Sequence, residues 1–175
     1  MSDIPFFDSR AAFAMRMDQL FTLLYDQMED GLKARGLTLR GYVTGTVQTL
    51  FHAGPKSVSE LAAEMKLSHQ LATQRVKYLV DQGFAKIDPD PDDKRRKLVS
   101  LTDVGRVEAE KLQEFIPALM SAYDDLFAEV GVDMHQAVLV ATKSLEARPL
   151  VQRFKDGNTD EGDISLKRPS ITKMK

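Results

Sequence analysis

Apolar residues recur every three or four positions along most of this chain, the spacing of helices that bury one face. A first stripe runs from Arg10 to Lys33 and stops at a glycine-bounded turn. A second follows Thr38, which we expect to cap its helix, although Gly41 and Gly45 each weaken that helix by about 1 kcal/mol relative to Ala. The N-terminal part of the chain therefore predicts two amphipathic helices.

Two more amphipathic stretches lie in the C-terminal half. One is long and begins after Thr102, with a kink expected at Pro117. The other begins after Asp133, a good capping residue, and is expected to end or kink near Pro149. From Lys155 onward the periodicity fades, and we expect a flexible tail.

Two short helices with clear start sites lie between these longer ones. Ser57 and Glu60 form an S-x-x-E capping box, in which each side chain bonds the other residue's backbone amide, and it opens a helix predicted over 58–65. Ser68 caps a second helix predicted over 68–82, and Gly83 ends it.

After Gly83 the apolar period changes from helical to alternating, which predicts strands. Residues 84–87 and 97–101 are the two expected strands, and the loop 88–96 between them, with Pro89 and Pro91, is too polar and proline-rich to be strand. A hairpin directly after two capped helices predicts a winged helix-turn-helix. The fold class is therefore mainly α with a small β-hairpin wing, an α+β arrangement.

In such a fold the first short helix braces the second, whose exposed face meets base edges in the major groove of duplex DNA. Here that face carries hydrogen-bonding side chains of suitable length, and Arg75 beside it is expected to reach phosphate. The candidate contacts are Ser68, His69, Gln70, Thr73, Gln74, Arg75 and Lys77. Many solvated helix faces have a similar composition, so the helix alone leaves both interpretations open.

The hairpin favours DNA contact over an ordinary solvated surface, because four consecutive cations lie at the end of its loop. Lys94, Arg95, Arg96 and Lys97 form the densest basic cluster of the chain, where an Arg can enter the minor groove and its neighbours can meet phosphates. Asp90, Asp92 and Asp93 in the same loop would repel DNA if all pointed outward. We expect at least one, with Asp93 favoured, to fold back, pair with a neighbouring Arg and fix the loop.

Composition narrows the remaining function classes. The formal net charge is −2, so any DNA binding must rest on local rather than bulk positive charge. The chain has no cysteine, which excludes disulfides, cysteine-ligated metals and thiol redox sensing. No apolar run is long enough to cross a bilayer, and the start MSDIPFFDSR does not resemble a secretion signal, so we expect a cytoplasmic protein without a membrane partner.

The sequence does not favour an enzyme. His52, His69 and His135 lie in different predicted elements, and none has a carboxylate or histidine partner at metal-ligand spacing. No nucleophile elbow or glycine-rich phosphate loop is present. We therefore expect no catalytic residue, no metal and no cofactor.

Three stretches of the chain resemble the MarR family of bacterial winged helix-turn-helix transcriptional regulators. They are GLTLRGY at 36–42, SVSELAAEMKLSHQLATQRVKYLVDQGFAKI at 57–87 and DPDDKRRKLVSLTDVG at 90–105. The last is similar to the family's wing pattern of Asp-x-Arg, alternating apolar residues and Leu-Thr-x-x-Gly, here Asp93, Arg95, Leu101, Thr102 and Gly105. The resemblance covers roughly residues 10–154.

The resemblance implies a homodimer that binds a pseudo-palindromic operator and more often represses than activates. It assigns residues 1–35 and 106–155 to dimerisation and 36–105 to DNA binding, with Arg95 as the minor-groove residue and Asp93 as its positioning partner. Residues 156–175 lie outside the resemblance and are the expected flexible tail. The wide apolar stripes of the terminal helices agree with an interface between subunits. Packing of these helices on their own protomer stays an alternative.

The resemblance also implies regulation by a small aromatic ligand, since many family members respond to aromatic acids. Phe13, Met17, Phe51 and His52 are the candidate ligand contacts, from their place on the first two helices, and they equally fit plain core. The competing function is a winged-helix module that binds another protein and no DNA. The four wing cations favour DNA.

Overall fold

The computed structural model describes residues 6–157, and the order of its elements confirms a mainly helical winged helix-turn-helix with a β-hairpin. The helices are α1 (Phe13–Lys33), α2 (Thr44–Ala53), α3 (Val58–Glu64), α4 (His69–Asp81), α5 (Asp103–Val130), α6 (Met134–Ala147) and α7 (Leu150–Gly157), and the strands are β1 (Ala85–Pro89) and β2 (Lys97–Leu101). Contacts divide the chain into one unit that ends at Ala122 and another that begins at Tyr123.

Short-range hydrogen bonds set the starts of α3 and α4. The capping box is complete, since Ser57 accepts from the amide of Glu60 while the Glu60 carboxylate accepts from the amide of Ser57. Ser68 accepts from the amide of Leu71 at 3.2 Å. Both caps satisfy amides that the first turn of a helix leaves free, so both predicted starts are confirmed.

The hairpin pairs antiparallel, with Ala85 opposite Leu101 and Pro89 opposite Lys97. A third segment joins it at one point, because the amide and carbonyl of Lys56 bond those of Val99 at 3.1 and 2.8 Å. The residue before α3 is thereby held beside the second strand of the wing. This connection was not predicted from the sequence, because a single isolated bridge leaves no alternating pattern.

A tight corner joins the hairpin to α5. The Thr102 hydroxyl donates to the Gly83 carbonyl at 2.6 Å and accepts from the Gly105 amide, while the Thr102 amide donates to the Phe84 carbonyl. A Cβ placed on Gly105 would lie 1.8 Å from the Phe84 carbonyl oxygen. The glycine of the Leu-Thr-x-x-Gly pattern is therefore a packing requirement, because only a residue without a side chain fits against the Phe84 carbonyl.

The core of the first unit is one cluster to which α1–α5 and both strands contribute. It is mostly aliphatic, with two buried phenylalanines. Its members are Met28, Leu32, Leu37, Leu39, Val43, Val47, Leu50, Leu61, Val76, Leu79, Phe84, Ala85, Val99, Ala109, Leu112 and Phe115. Because α4 and the wing share this cluster, the candidate DNA-contacting elements are supported by one packed body.

Three predictions from the sequence need correction. Thr38 does not cap the second helix, because its amide and hydroxyl bond the buried carboxylate of Glu108, and α2 begins only at Thr44 after a 3₁₀ turn over Gly41–Val43. The first strand continues through Pro89, which as the last strand residue faces Lys97 without breaking the pairing. The third concerns the predicted tail: α7 continues to Gly157, so only residues 158–175 lie outside the described range.

The second unit, from Tyr123, contains the end of α5 together with α6 and α7. Asp133 caps α6 by accepting from the amide of Gln136, as predicted, and α6 ends before Pro149. The guanidinium of Arg153 donates to the carbonyls of Ser144 and Arg148, which ties α7 to the end of α6. Neither α6 nor α7 has a buried residue.

Candidate nucleic-acid interface

Helix α4 is fixed on its inner face and open on its outer face. Ala72, Val76 and Leu79 are buried in or against the core, one turn apart. The Ser68 cap fixes the first turn, where the residues that reach into a DNA groove are expected. The helix therefore presents its polar side chains from a rigid base.

Most of the predicted contact residues of α4 are exposed and share the side away from the core. They are Ser68, His69, Gln70, Thr73, Gln74 and Lys77. The Thr73 hydroxyl donates to the His69 carbonyl at 2.8 Å, and the Lys77 ammonium pairs with Asp81 at 2.6 Å. Within the described part of the chain, the side chains of Gln70 and Gln74 make no hydrogen bond, so both amides remain available for base edges.

Arg75 differs from the other candidate residues of α4. It is only partly exposed, and its Nε is buried without a hydrogen-bond partner among residues 6–157. A guanidinium whose stem is packed against protein keeps only its outer nitrogens for a phosphate.

The wing loop is closed by hydrogen bonds to two aspartates. The Asp90 amide donates to the Arg96 carbonyl at 3.0 Å, and the buried Asp90 carboxylate accepts from the amide of Asp92 at 2.9 Å. At the tip, the Asp93 carboxylate accepts from the amide of Arg95 at 3.0 Å. These turns stabilise the loop, which contains Pro91 and joins the two strands.

The aspartate that pairs with an arginine side chain is Asp90, not Asp93 as the sequence favoured. Asp90 Oδ2 lies 3.6 Å from Nε of Arg96, and its side chain is 9% exposed. Asp93 instead acts on the backbone of Arg95, which is a positioning contact of a different kind. The prediction missed Asp90 because only its burial, which depends on the folded hairpin, separates it from its neighbours.

The four wing cations divide into two kinds. Lys94, Arg95 and Lys97 are exposed and form no ion pair with any residue between 6 and 157. Arg96 pairs with Asp90, and its Nη2 donates to Oε1 of Glu60 at 2.9 Å. Three positive charges thus project freely from the wing, while the fourth is held by two carboxylates.

Glu60 is the residue that the sequence placed only in the capping box. The hydroxyl and amide of Ser57, followed by Arg96, hold the pKa of its carboxyl at about 2, below the ordinary value of 4.5. The same hydrogen bond raises the pKa of Arg96. Glu60 is therefore charged at neutral pH, and it joins the start of α3 to the wing.

The four candidate ligand residues do not line one cavity. Phe13 lies at an open cavity of about 710 Å³ that is otherwise lined by Phe7, Asp8, Ser9, Arg10 and Arg16. Phe51 packs against the core, and Nε2 of His52 lies 2.9 Å from Nε2 of Gln113 and 3.2 Å from Oε1 of Gln48. Gln48 Nε2 is buried and has no partner within the described part of the chain.

Metal and membrane sites are not found in the described residues. Between residues 6 and 157, no group of three or more His, Asp or Glu side chains could hold a metal ion. Over the same range, no helix has both the length and the apolar character needed to cross a membrane.

Comparison with known proteins identifies the domain that carries the interface. The sequence profile of the MarR family matches residues 36–96. Among solved structures, the chain is similar to a probable transcriptional regulator from Pseudomonas aeruginosa, with 24% identity over 78% of this chain and 96% of that one and a TM-score of 0.55. Among curated proteins, no sequence matches this chain.

Two further solved structures have the same fold. The PcaV transcriptional regulator from Streptomyces coelicolor, solved with its natural ligand, is 19% identical over 86% of this chain and 99% of that one, with a TM-score of 0.60. NMB1585, a MarR family regulator from Neisseria meningitidis, is 20% identical over 90% of this chain and 100% of that one, with a TM-score of 0.51. At these identities the likeness concerns the fold.

The matched range contains both capped helices, the first strand and most of the wing loop. It contains two of the three stretches on which the resemblance was based and the start of the third, which runs on to Gly105. Members of this family are transcription regulators rather than enzymes. Residues 36–96 therefore match the MarR family of transcriptional regulators, and the chain shares its fold with solved regulators.

Proposed function

We propose that the protein is a sequence-specific DNA-binding regulator that acts as a homodimer on a pseudo-palindromic operator and represses transcription there. The predicted recognition helix 68–82 enters the major groove, and the wing 88–97 reaches the minor groove. Residues 1–35 and 106–155 serve dimerisation, and residues 36–105 serve DNA binding. The observation that carries this proposal is the set of unpaired cations at Lys94, Arg95 and Lys97.

Charge explains why those cations matter. The whole chain has a formal net charge of −2, so attraction of DNA phosphates must come from a local cluster of positive charge. Unpaired cations bind phosphate and release counterions from the DNA, which favours binding, whereas a cation already paired with a carboxylate must first lose that partner. Arg95 at the tip, with its backbone held by Asp93, is the residue we assign to the minor groove.

The free amides of Gln70 and Gln74 are the best candidates for reading bases. A glutamine amide can donate to and accept from an adenine edge at once, which discriminates bases by about 1–3 kcal/mol. Ser68, His69 and Thr73 lie on the same side for shorter contacts, and Arg75 and Lys77 are assigned to phosphates.

The apolar side chains of the terminal helices support the homodimer. Val140 and Phe154 are 64% and 66% exposed in the single chain, and Phe13 in α1 is 66% exposed. Helices α6 and α7 have no buried residue, which is unusual for helices with apolar stripes in a monomer. A second copy of the chain can cover these side chains by a symmetric contact, as most soluble oligomers do.

Release from DNA by a small aromatic ligand is part of the same proposal. The solved structure of PcaV contains that protein's natural ligand. In this chain, Phe51 is half-buried beside His52, and their rings meet edge to face at 5.3 Å. Titration with aromatic carboxylates would raise the melting temperature if such a site exists, and the absence of any concentration-dependent rise would remove this part of the proposal.

Binding to a library of short duplexes, followed by fluorescence anisotropy across a salt series, tests the DNA interface. We expect wild type to select a palindromic site with a steep salt dependence. Arg95→Ala should weaken binding to all duplexes and reduce the slope of log K against log salt by about 1. Gln74→Ala should change preference at one base position and leave the slope unchanged.

Lys143→Ala is the matched control, because it removes one exposed cation from α6, outside the DNA-binding domain. Its slope should equal that of wild type. If wild type binds no duplex at low salt, the regulator function fails. A winged-helix module that binds another protein then becomes the better description.

A further inference from the structure

We propose that Arg96 is a positioning residue, which holds the wing against the start of α3 rather than contacting a phosphate. This inference rests on the proposed function, since the wing is the element assigned to the minor groove. It also separates Arg96 from Lys94, Arg95 and Lys97, which the sequence alone presents as one basic cluster.

The contacts of Arg96 use two nitrogens of its guanidinium. Nη2 donates to Glu60 Oε1 at 2.9 Å, and Nε lies 3.6 Å from Asp90 Oδ2. A planar guanidinium with several fixed donors can bridge two carboxylates in this way, and a lysine ammonium cannot do so with the same geometry. Arg96 therefore links the base of the wing loop to α3, which is separated from the loop in sequence by α4 and β1.

Both acceptors are themselves held by further hydrogen bonds, which makes the link a brace. The other oxygen of Glu60 accepts from the amide and hydroxyl of Ser57 at 2.8 and 2.7 Å. Asp90 is buried, and its second oxygen accepts from the amide of Asp92. The backbone of Arg96 is also fixed, because its carbonyl accepts from the amide of Asp90 and its own amide donates to the Asp93 carbonyl at 2.8 Å.

The brace acts at the point where the wing would otherwise pivot. Strand pairing ends at Pro89 and Lys97, and the loop beyond this pair carries Arg95 at its tip. Loss of the Arg96 pairs would leave the loop attached only through its own turns. Arg95 at the tip would then sample more conformations, so its loss of conformational entropy on entering a groove would be larger.

The first test measures wing mobility without DNA. The chain has no cysteine, so Lys94→Cys provides a single site for a nitroxide label at the wing tip. We expect Glu60→Gln and Arg96→Ala to raise the mobility of the label in the electron paramagnetic resonance spectrum. Glu60→Gln is the sharper variant, because Gln preserves the capping box while it removes the charge that Arg96 meets.

Glu110→Gln in α5 is the matched control, since it neutralises an exposed carboxylate that forms no ion pair with any of residues 6–157. The label should be as immobile in this variant as in wild type. Arg96→Lys should restore part of the order that Arg96→Ala loses, because a single ammonium can meet Glu60 or Asp90 but not both. Equal mobility in wild type, Glu60→Gln and Arg96→Ala would overturn the proposal.

The second test uses the sign of the effect on DNA binding. If Arg96 contacts phosphate, Glu60→Gln releases it and removes a negative charge near the wing, so affinity rises. If Arg96 positions the wing, the same change lowers affinity, by up to about fivefold for one exposed ion pair. Arg96→Ala should also weaken binding without the fall in salt slope that Arg95→Ala produces.

The two tests separate failure of the inference from failure of the proposed function. Tighter DNA binding by Glu60→Gln, or a reduced salt slope for Arg96→Ala, would overturn the positioning role while leaving the regulator intact. If no variant and no wild-type protein binds any duplex, but Glu60→Gln still mobilises the wing label, the positioning role stands and the proposed function falls.

Discussion

The winged-helix domain and the C-terminal helices look alike as sequence patterns but differ in what covers them. Leu61, Leu79 and Val99 of the domain are fully buried. In α6 and α7, by contrast, every apolar side chain is at least partly exposed, and Val140 is 64% exposed. An amphipathic stripe therefore establishes that a helix forms and which face is apolar, and leaves open what that face packs against.

Both regions nevertheless use the same local devices. Ser57 and Ser68 cap helices in the domain, and Asp133 caps α6 with the same contact to the third amide of the helix. Capping depends on neighbours in sequence, so it is equally visible in both regions. Burial depends on distant partners, and it is the property in which the regions differ. The predictions below test whether this difference governs stability.

The largest expected effect comes from a truncation in the core of the domain. Leu79→Ala should lower the free energy of unfolding by roughly 4 kcal/mol, because it removes a fully buried side chain and leaves a cavity. Leu139→Ala in α6, where the side chain is 42% exposed, should cost less than about 1 kcal/mol. Urea unfolding of both variants measures the contrast, and similar losses would show that the second region is as well packed as the first.

A pair of glycine-to-alanine substitutions tests the same contrast in packing by adding a methyl group in each region. Gly105→Ala should destabilise by about 3 kcal/mol, because its Cβ would meet the Phe84 carbonyl and force the corner at Thr102 apart. Gly157→Ala should be neutral or slightly stabilising, since no atom lies within 4 Å of the added methyl group. Thermal melts decide this prediction. A tolerated alanine at position 105 would contradict the packing explanation of the Leu-Thr-x-x-Gly pattern.

The third prediction concerns the partner that the C-terminal helices are proposed to have. Val138 lies on the stripe of α6 that also carries Met134, Ala137, Ala141 and Leu145. Val138→Asp should weaken self-association at least about tenfold, roughly 1.4 kcal/mol, because a symmetric interface would bury the new charge twice. Sedimentation equilibrium measures the association constant.

Gln136→Asp is the control for this measurement. It introduces the same charge on the opposite side of α6, in the first turn, where an acidic residue suits the helix dipole. Its association constant should match that of wild type. If both variants remain fully associated, the apolar stripe of α6 is not the contact between subunits.

Much of the fold could be predicted because its determinants are local. The two capped helices, the stop at Gly83, the second strand and the cap at Asp133 each depend on a few adjacent residues, and all are confirmed. The start of α2 was misplaced at Thr38 for the opposite reason. The competing partner of Thr38 is Glu108, which lies 70 residues away in sequence.

The candidate site shows the same division between features set by adjacent residues and features set by distant contacts. The polar face of α4 and the basic wing follow from composition and position, and their roles at DNA stay predictions. The side-chain pairs within the wing do not follow from the sequence, since three aspartates lie within four residues of one another. Only the folded loop distinguishes the buried Asp90 from Asp93, and Glu60 meets Arg96 through the packing of α3 beside the second strand, which includes the bridge at Lys56.

The smallest expected effect is a change in the acid sensitivity of the domain. The pKa of Glu60 is about 2 in the folded protein, below the ordinary 4.5, because the Ser57 hydroxyl, the Ser57 amide and Arg96 stabilise its charged form. A lowered carboxyl pKa contributes stability that is fully present above pH 4.5 and is lost as the pH falls toward 2. Wild type should therefore lose more stability across this window than Glu60→Gln.

Urea unfolding at steps between pH 5 and pH 2 measures the difference, which should be largest at pH 5 and shrink toward zero at about pH 2. Ser57→Ala should flatten the profile more than Arg96→Ala, because Ser57 is the larger cause of the low pKa. Asp156→Asn is the control from the second region. It breaks an exposed pair with Arg148, and such pairs contribute little to stability. If Glu60→Gln and wild type lose stability in parallel, the donors around Glu60 stabilise the start of α3 without favouring its charge, and the link to the wing is weaker than its geometry indicates.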